Sequence, residues 1–351
     1  MPDEPPRLTS TPPASDPGGA GAADPAGDHR ELIEVRLEVL ARHHGWRLDH
    51  FIKDRIRRLS RTRIQHMIRS QERLGGARLR PSSRVRQGEE LVLLRPAPDE
   101  PDVPRSYRVL HDDGQIGAID KPAGLPVHAT ARFHRNTLMA MLRESWPAER
   151  PPSLAHRLDR ETSGIVLLGL TRAASAALKQ LFRERLVEKR YLALVHGDPG
   201  DEGRIELPLG PDRDSGIRVK MAVDPAAGLP ARTRYRTVER RGGVALVLAE
   251  PETGRQHQIR AHLAAIGHPL VGDKLYGQGP DGWLEYLETG WTDRLARRLL
   301  LPRHALHAHQ LSLTHPFTGQ KLRLTCELPA DLQQFWDRAG QGQGPVAGQP
   351  R

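Results

Sequence analysis

The chain has 351 residues, of which 37% are hydrophobic, and a formal net charge of +10 at pH 7. This length and apolar content suffice for two folded domains with tails. The longest apolar runs, such as VALVLA at 244–249, are too short to span a bilayer, and no basic-then-apolar leader begins the chain. The single cysteine, Cys326, excludes an internal disulfide and multi-cysteine zinc sites. We therefore expect a cytoplasmic globular protein with no membrane partner.

The net positive charge is concentrated in one segment. Residues 47–95 contain fourteen Lys and Arg against five Asp and Glu, which predicts a surface for phosphate groups. Residues 1–29 are rich in Pro, Gly, Ala and Asp and have no aromatic, Ile or Val residue, so we expect a disordered leader. Residues 340–351 resemble it and are expected to form a disordered tail. Between them we predict a small basic domain at 30–97, a linker at 98–106 and a larger domain at 107–339.

Periodicity predicts the elements of the small domain. Apolar residues alternate over 33–41, which is typical of a strand, and helical spacing follows over Leu48–Ile56. Ser60 is placed to cap a second helix that contains Ile64 and Ile68. The segments 77–81 and 89–94, separated by Ser-Ser, predict a small hairpin.

This domain resembles a known module. The run RLDHFIKDRIRRLSRTRIQHMI (47–68), followed by RLRPSSRVRQGEE (78–90), is similar to the small αL RNA-binding fold shared with a ribosomal small-subunit protein. Gly75-Gly76-Ala77 stands where the module usually has an Asn-Gly turn. The resemblance implies RNA binding through the basic helical face, namely Arg57, Arg58, Arg61, Arg63 and Arg69. The alternative is a basic helical pair without an RNA role.

The larger domain shows short strands and helices without regular strand-helix alternation. Strands are predicted near 107–111, 116–120, 165–170, 191–195, 233–238, 244–248, 306–313 and 321–328, and helices near 137–145, 172–185 and 259–266. These elements predict an α+β fold whose mixed, largely antiparallel sheet has flanking helices.

Candidate chemistry centres on the stretch AHRLDRETSG at 155–164. It places a charged loop directly before an apolar strand, an arrangement typical of functional loops, and Asp159 is its candidate reactive group. The same charges could also form a solvated turn in which Asp159 and Glu161 pair with Arg157 and Arg160. The residues alone leave both interpretations open.

Other reaction classes have weaker support. No phosphate-binding glycine motif follows a strand, so we expect no nucleotide cofactor. The pairs His257/His262 and His307/His309 lack the spacing or the carboxylate partner of a metal site, so we expect no metal. Ser163 lacks the context of a nucleophilic serine.

A carboxylate can act on a sugar in two ways. Paired with Glu161, Asp159 could hydrolyse a glycosidic bond; alone, it could help break that bond and let the same base recombine. Composition does not choose between these reactions, although the basic module favours a nucleoside within RNA as substrate.

Six stretches in order decide the resemblance of the larger domain. They are KPAGLPVH (121–128), HRLDRETSG (156–164), EKRYLALVHG (188–197), TGRQHQIRAHL (253–263), GHPLVGDKLYG (267–277) and LHAHQLSLTHP (306–316). With them, residues 107–328 resemble the pseudouridine synthases of the RluA type, which isomerise uridine in ribosomal or transfer RNA.

The resemblance implies specific roles. Asp159 is the essential carboxylate, Arg260 pairs with it, Tyr191 stacks on a flipped-out base, Ile259 packs beside that base, and Arg157 fills the gap left in the RNA. The matched stretches also contribute expected substrate-binding residues, namely Lys121, His156, Thr162, Gly164, Arg255 and His257.

The remaining expectations concern substrate and assembly. Large-subunit ribosomal RNA is the expected substrate, with transfer RNA as the alternative, and the enzyme is expected to be a monomer that needs no cofactor. Two other interpretations are a non-catalytic RNA-binding or ribosome-assembly factor and a nucleoside glycosidase that uses Asp159 and Glu161. Loops such as 278–303 are expected to influence target choice.

Overall fold

A computed structural model describes residues 32–56, 59–72, 75–96, 100–130, 133–147, 149, 151–277 and 279–341. The chain divides into two compact units, Met1–Asp99 and Glu100–Arg351. The predicted leader at 1–29 lies outside the described residues, as does the predicted tail beyond residue 341, so the domain boundaries stay predictions. Within the described part of the chain, every helix is too short or too polar to cross a bilayer.

The first unit combines a two-stranded sheet with short helices. Its elements are strand β1 (Leu32–Glu38), a 3-10 helix (Ala41–His43), helix α1 (Leu48–Arg55), helix α2 (Arg61–Ser70) and strand β2 (Glu90–Pro96). The Ser60 side chain accepts a hydrogen bond from the Arg63 N–H at 3.2 Å, so the predicted cap of α2 is present. Phe51, Ile52 and Ile64 are fully buried in its core.

The predicted hairpin of this unit is wrong. Strand β2 pairs antiparallel with β1, about fifty residues upstream, and residues 77–81 form no strand. The alternating apolar residues Leu91 and Leu93 are buried against the helices, and a partner distant in sequence satisfies the backbone of β2 as well as a local one does.

The second unit is larger and contains most of the regular structure. Its helices are α3 (Leu138–Ser145), α4 (Arg172–Arg183), α5 (Gln258–Ala265), α6 (Gly279–Thr289), α7 (Asp293–Leu299) and α8 (Ala330–Gly340). Its strands are β3 (Arg108–Asp112), β4 (Ile116–Lys121), β5 (Ser153–Leu154), β6 (Ser163–Gly169), β7 (Glu188–His196), β8 (Glu202–Ile205), β9 (Leu209–Pro211), β10 (Met221–Val223), β11 (Thr233–Arg241), β12 (Val244–Pro251), β13 (Leu306–Thr314) and β14 (Lys321–Thr325).

Ten of these strands form one sheet in the order β3-β4-β6-β13-β7-β12-β11-β8, with β5 on β6 and β14 on β13. The β6–β13 pair is parallel and the other pairs are antiparallel. Strands β9 and β10 form a separate antiparallel pair. The predicted α+β fold with a mixed, mostly antiparallel sheet is confirmed.

Strand β6 lies inside the sheet, between β4 and β13, and is buried along its whole length. Val166 and Leu168 belong to a core cluster with Leu138 of α3. Their neighbours Ile165 and Leu167 belong to another cluster, with Leu178 of α4. Since successive side chains of a strand point to opposite faces, α3 and α4 cover opposite sides of the sheet.

Gly164 fixes where the charged loop ends. It lies opposite Ala308 in the parallel β6–β13 pair and has φ +108°. A Cβ at this position would lie 2.4 Å from the Ala308 carbonyl oxygen, so a larger residue would force the two backbones apart. Glycine at this position therefore lets β6 begin at Ser163 and lets the end of the preceding loop pack closely against β13.

Candidate active site

The loop between β5 and β6 places Asp159 beside an arginine from α5. The Asp159 carbonyl accepts the Thr162 N–H at 3.1 Å in a tight turn, and the side chain is 22% exposed. Nη1 of Arg260, which is 101 residues further along the chain, donates to Asp159 Oδ2 at 2.9 Å. The structure therefore brings together the two residues that the sequence motifs singled out as a pair.

A second carboxylate holds Arg260 more tightly than Asp159 does. Nε of Arg260 donates to Asp273 Oδ2 at 2.7 Å and Nη2 donates to Asp273 Oδ1 at 2.9 Å, a bidentate pair. Asp273 is fully buried, and its Oδ1 also accepts the N–H groups of Leu275 and Tyr276 at 3.0 and 3.1 Å. The guanidinium is thereby fixed, and its remaining nitrogen is directed at Asp159.

The charges of this network support one another. Burial alone would lower the pKa of Arg260, but the carboxylates of Asp273 and Asp159 outweigh burial and raise it. Burial would likewise raise the pKa of Asp273, yet the Arg260 charge and the hydrogen bonds leave it lowered. Arg260 and Asp273 are therefore both ionised at neutral pH, and Arg260 presents a permanent cation to Asp159.

Asp273 has no predicted role on the basis of the sequence. The available signal was the stretch GDKLYG at 272–277, which lies within one of the matched segments. Nothing in the spacing of the neighbouring residues predicts that Asp273, between Gly272 and Lys274, is buried. Its partner becomes evident only when α5 and the loop after it are seen side by side.

Tyr191 of β7 lies close enough to Asp159 to respond to its charge. Its ring packs on the cluster that contains Val166 and also on the cluster that contains Ile259. Burial raises the pKa of the Tyr191 phenol, and the Asp159 carboxylate raises it further. The phenol is neutral at physiological pH, and with the 6% exposed Ile259 it forms an apolar wall beside Asp159 and Arg260.

His257 and Tyr276 complete the surroundings of Arg260. The Tyr276 ring lies 5.1 Å from the guanidinium carbon, and its hydroxyl lies 3.1 Å from His257 Nδ1 and accepts the Met221 N–H at 3.0 Å. His257 Nε2 is 3.9 Å from Asp159 Oδ2. Burial, together with the Arg260 cation, lowers the pKa of His257 to about 4, so the imidazole is neutral at pH 7.

His257 also has an unusual backbone. It caps α5 with φ 55° and ψ 16°, in the left-handed region that residues other than glycine rarely occupy. Two sets of contacts fix this backbone conformation. One is the contact of His257 with Tyr276, and the other is made by Gln258, whose Oε1 accepts hydrogen bonds from Thr253 Oγ1 at 2.7 Å and from the Arg255 N–H at 3.0 Å. Strained backbone of this kind is common at functional sites.

Three of the predicted substrate-binding residues, Lys121, His156 and Thr162, make contacts that fix the loop around Asp159. Lys121 is fully buried, and its Nζ donates to the carbonyls of Pro122, Leu125 and Arg160 at 2.8, 3.0 and 3.1 Å. Burial lowers the pKa of Lys121 to about 7. Because Arg160 follows Asp159 directly, the hydrogen bond from Lys121 to the Arg160 carbonyl fixes the loop that carries Asp159.

His156 and Thr162 lie at the two ends of the same loop. His156 Nε2 accepts the Leu167 N–H at 3.0 Å and its ring stacks on Phe182, while burial lowers its pKa to about 3. Thr162 Oγ1 lies 2.8 Å from His304 Nε2, and both side chains are buried. These contacts fix the loop, and any contact of these residues with substrate stays a prediction.

Two other predicted cations are more accessible. Arg157 is exposed, and its charge lowers the pKa values of His128 and His257, after the larger effect of burial on each. Arg255 is partly exposed and donates to the Pro230 carbonyl at 3.2 Å. Arg157 in particular presents its side chain to solvent.

Glu161 is committed elsewhere. It forms a salt bridge with the buried Lys274 at 2.9 Å, and its carboxylate also accepts from Arg160 at 3.2 Å and from the His304 N–H at 3.3 Å. A glycosidase that used Glu161 as its second carboxylate would need that group available for proton transfer, whereas here it is held in a salt bridge with Lys274. The solvated-turn interpretation also fails for Asp159, whose partner is Arg260.

The histidine pairs considered as metal ligands bond protein groups. His262 lies 2.9 Å from both Thr233 Oγ1 and the Leu207 carbonyl, and His307 lies 3.0 Å from Ser163 Oγ. No cluster of three or more His, Cys, Asp or Glu residues suited to a metal occurs among the described residues.

Comparison with known proteins identifies the family. Residues 115–265 match the family model described as RNA pseudouridylate synthase. The chain is 33% identical over 305 residues to ribosomal large subunit pseudouridine synthase D of Zymomonas mobilis, covering 82% of this chain and 92% of the relative. This chain belongs to the RNA pseudouridine synthase family. The enzyme is therefore an isomerase, as the resemblance predicted.

Further relatives agree. The enzyme is 37% identical over 227 residues to the dual-specificity RNA pseudouridine synthase RluA of Escherichia coli K12, which covers 64% of this chain and 93% of the relative. Among solved structures, human RNA pseudouridylate synthase domain containing 1 superposes with a TM-score of 0.53 at 26% identity, over 72% of this chain and 94% of that one. The relation thus holds in sequence and in fold.

Proposed function

We propose that this enzyme converts specific uridines of large-subunit ribosomal RNA to pseudouridine, with Asp159 as the reactive carboxylate. The observation that carries the proposal is the pair of Asp159 and Arg260 beside Tyr191, in which Arg260 is itself fixed by Asp273. The assignment to ribosomal RNA is supported by relatives named ribosomal large subunit pseudouridine synthase D. Transfer RNA is the alternative target class.

The reaction rearranges atoms without adding or removing any. The bond between C1′ and N1 of the uracil breaks, the base turns within the closed site, and C5 bonds to C1′. The proton on C5 is released and N1 gains one, so substrate and product have the same composition. Asp159 begins the reaction at the sugar, either as a nucleophile at C1′ or as a base at C2′; both need the carboxylate ionised.

The surrounding residues are suited to hold a flipped base. A uridine within folded RNA is accessible only when it is extruded from its stack, and an aromatic face then stabilises it by about 1–3 kcal/mol. Tyr191 offers that face with Ile259 beside it. The fixed cation of Arg260 orients the Asp159 oxygen and needs no rearrangement during the reaction.

The remaining expectations form part of the same proposal. Arg157 is placed to contact the RNA from which the nucleotide leaves, and the basic face of the first unit binds RNA through Arg61, Arg63 and Arg69, which are exposed. Arg57 and Arg58 lie outside the described residues. We further propose that the enzyme acts as a monomer in the cytoplasm, where it meets ribosomal RNA.

The deciding experiment maps pseudouridine in total RNA from cells that lack the protein, complemented with wild type or with Asp159→Asn. We expect one or a few positions in large-subunit ribosomal RNA to lose pseudouridine and to regain it only with wild type. In vitro, Asp159→Asn should lower the rate by at least about 10³-fold while RNA binding persists. Restoration by Asp159→Asn would refute the role of Asp159, and losses confined to transfer RNA would refute the ribosomal target.

A further inference from the structure

An exposed tryptophan in the first unit has no role in the proposed reaction. Trp46 is 40% exposed, although large aromatic side chains are normally placed in a core. It borders two open grooves of about 430 and 530 Å³, which it shares with His50. This side chain therefore offers an apolar ring beside two shallow, open grooves.

The grooves beside Trp46 include three basic side chains among the described residues that line them. Arg47 and Arg84 line the first groove and Lys53 lines the second, and Asp54 is the single carboxylate among the described lining residues. Asp54 is already 3.0 Å from His43 Nε2. An aromatic ring between basic side chains is complementary to a nucleic acid base that carries phosphates on either side.

The backbone that carries Trp46 is held rigidly. Its carbonyl accepts the Val85 N–H at 3.0 Å, and the flanking N–H groups of Gly45 and Leu48 donate to Val85 and Ser83 at 2.8 and 2.7 Å. On its inner side the indole meets the buried His43 edge-on at 5.2 Å, and His43 in turn meets Phe51 at 5.1 Å. The exposed part of the ring is thus positioned by the core.

The two arginines of the first groove are also fixed. Arg47 forms a bidentate pair with the buried Asp49, both contacts being 3.0 Å. Arg84 donates to the Gly45 carbonyl at 2.8 Å, and its backbone pairs with that of Arg47. Because these side chains are already ordered, a ligand would lose little side-chain entropy on binding them.

We propose that Trp46 is a stacking platform for an unpaired nucleotide of the RNA substrate, with Arg84 and Lys53 holding the adjacent phosphates. This inference rests on the proposed RNA-binding role of the first unit and extends it. It adds a base-stacking contact, whereas the residues predicted on α2 are all arginines. Stacking is tolerant of sequence, so the platform strengthens binding near the target without selecting the uridine.

The test uses the full-length protein with a fluorescein-labelled single-stranded RNA. Binding is measured over a series of salt concentrations in the Asp159→Asn background, where no product forms. Trp46→Ala should weaken binding by about 5- to 150-fold, the equivalent of one lost base stack, with an unchanged slope of log Kd against log salt. Trp46→Phe should retain most of the affinity. Arg84→Ala should reduce the slope by about 0.7.

Phe317→Ala is the matched control, because Phe317 is an exposed aromatic residue of the second unit. It should bind RNA as tightly as the parent, and thermal unfolding should be unchanged in all variants. A Trp46→Ala protein that is folded and binds the RNA normally would overturn the proposal. So would normal RNA binding combined with slower modification of ribosomal particles, which would mean that Trp46 contacts a protein. Neither result would affect the assignment of Asp159, which depends on product formation alone.

Discussion

Arginines serve two physical purposes in this molecule. In the first unit, Arg61, Arg63 and Arg69 are exposed, and the Arg61 contact with Asp49 spans 3.8 Å. In the second unit, Arg260 is 7% exposed and makes three hydrogen bonds with two carboxylates. The exposed group keeps its charge for a partner in solution, whereas Arg260 uses its charge within the protein. The first should govern affinity and its salt dependence; the second should govern rate and be insensitive to salt.

The largest expected effect that tests this contrast comes from Asp273. Asp273→Ala leaves the buried Arg260 with only one of its two carboxylate partners, Asp159. This loss should lower the free energy of unfolding by about 3–5 kcal/mol. Asp273→Asn also removes the charge, but it keeps the shape and the acceptor for the Leu275 and Tyr276 N–H groups, so it should be destabilised less than Asp273→Ala and is assayed at a temperature where it is folded. Its kcat should fall by about 100-fold with little change in KM, because the arginine that orients Asp159 is no longer fixed.

Asp331→Asn provides the control for Asp273. Asp331 also holds an arginine in a bidentate pair, Arg303, at 2.6 and 2.9 Å, but it is half exposed and does not contact Asp159. Denaturant unfolding and steady-state kinetics should show kcat unchanged in this variant. Equal losses of kcat in both variants would mean that Asp273 acts only through general stability.

Tyr191 tests whether the apolar wall acts through its ring or through its hydroxyl. Tyr191→Phe keeps the ring and should retain most activity, since burial and Asp159 hold the phenol neutral. Tyr191→Ala removes the stacking face and should lower kcat/KM by about 5- to 150-fold. Single-turnover rates on the same RNA make the measurement. A Phe variant as slow as the Ala variant would transfer the role from the ring to the hydroxyl group.

Acid should weaken the second unit through His257. Its folded pKa of about 4 lies below the ordinary value of 6.5, so the unfolded chain binds more protons between these two values. The stability that the neutral form contributes is complete above pH 6.5 and is lost as the pH falls towards 4, by up to about 3 kcal/mol. His257→Asn does not titrate, so its free energy of unfolding should fall less steeply over this range. Parallel curves for the two proteins would show that His257 is not the group responsible.

The sequence predicts most strands of the sheet and helices α3, α4 and α5 because each has a local signature, and the family resemblance implies the pair of Asp159 and Arg260. The prediction of loops at 278–303 is wrong, since α6 and α7 lie there, and α8 is not predicted at all. The continuous apolar run Ile165–Leu168 marks a buried strand, and the resemblance that the six ordered stretches carry implies that Asp159 and Arg260 are partners. The partner of β2 and the role of Asp273 have no such signature, since both depend on which distant segments meet in the fold. The same holds for Lys121, whose lysine type predicts exposure while three backbone carbonyls surround its ammonium group.

Substitution of an exposed arginine should change stability least. It therefore tests most directly the contrast between the exposed arginines of the first unit and the buried Arg260. Arg63→Ala leaves its contribution to the α2 cap, a backbone N–H, in place, so the melting temperature should stay constant. RNA binding should weaken, and the slope of log Kd against log salt should fall by about 0.7 to 0.9 for a lost phosphate contact. kcat at saturating RNA should not change. Binding assays at several salt concentrations and steady-state kinetics test this, with Asp273→Asn as the reverse case. A changed kcat in Arg63→Ala would contradict the division of affinity and rate between exposed and buried cations. A changed salt slope in Asp273→Asn would contradict it as well.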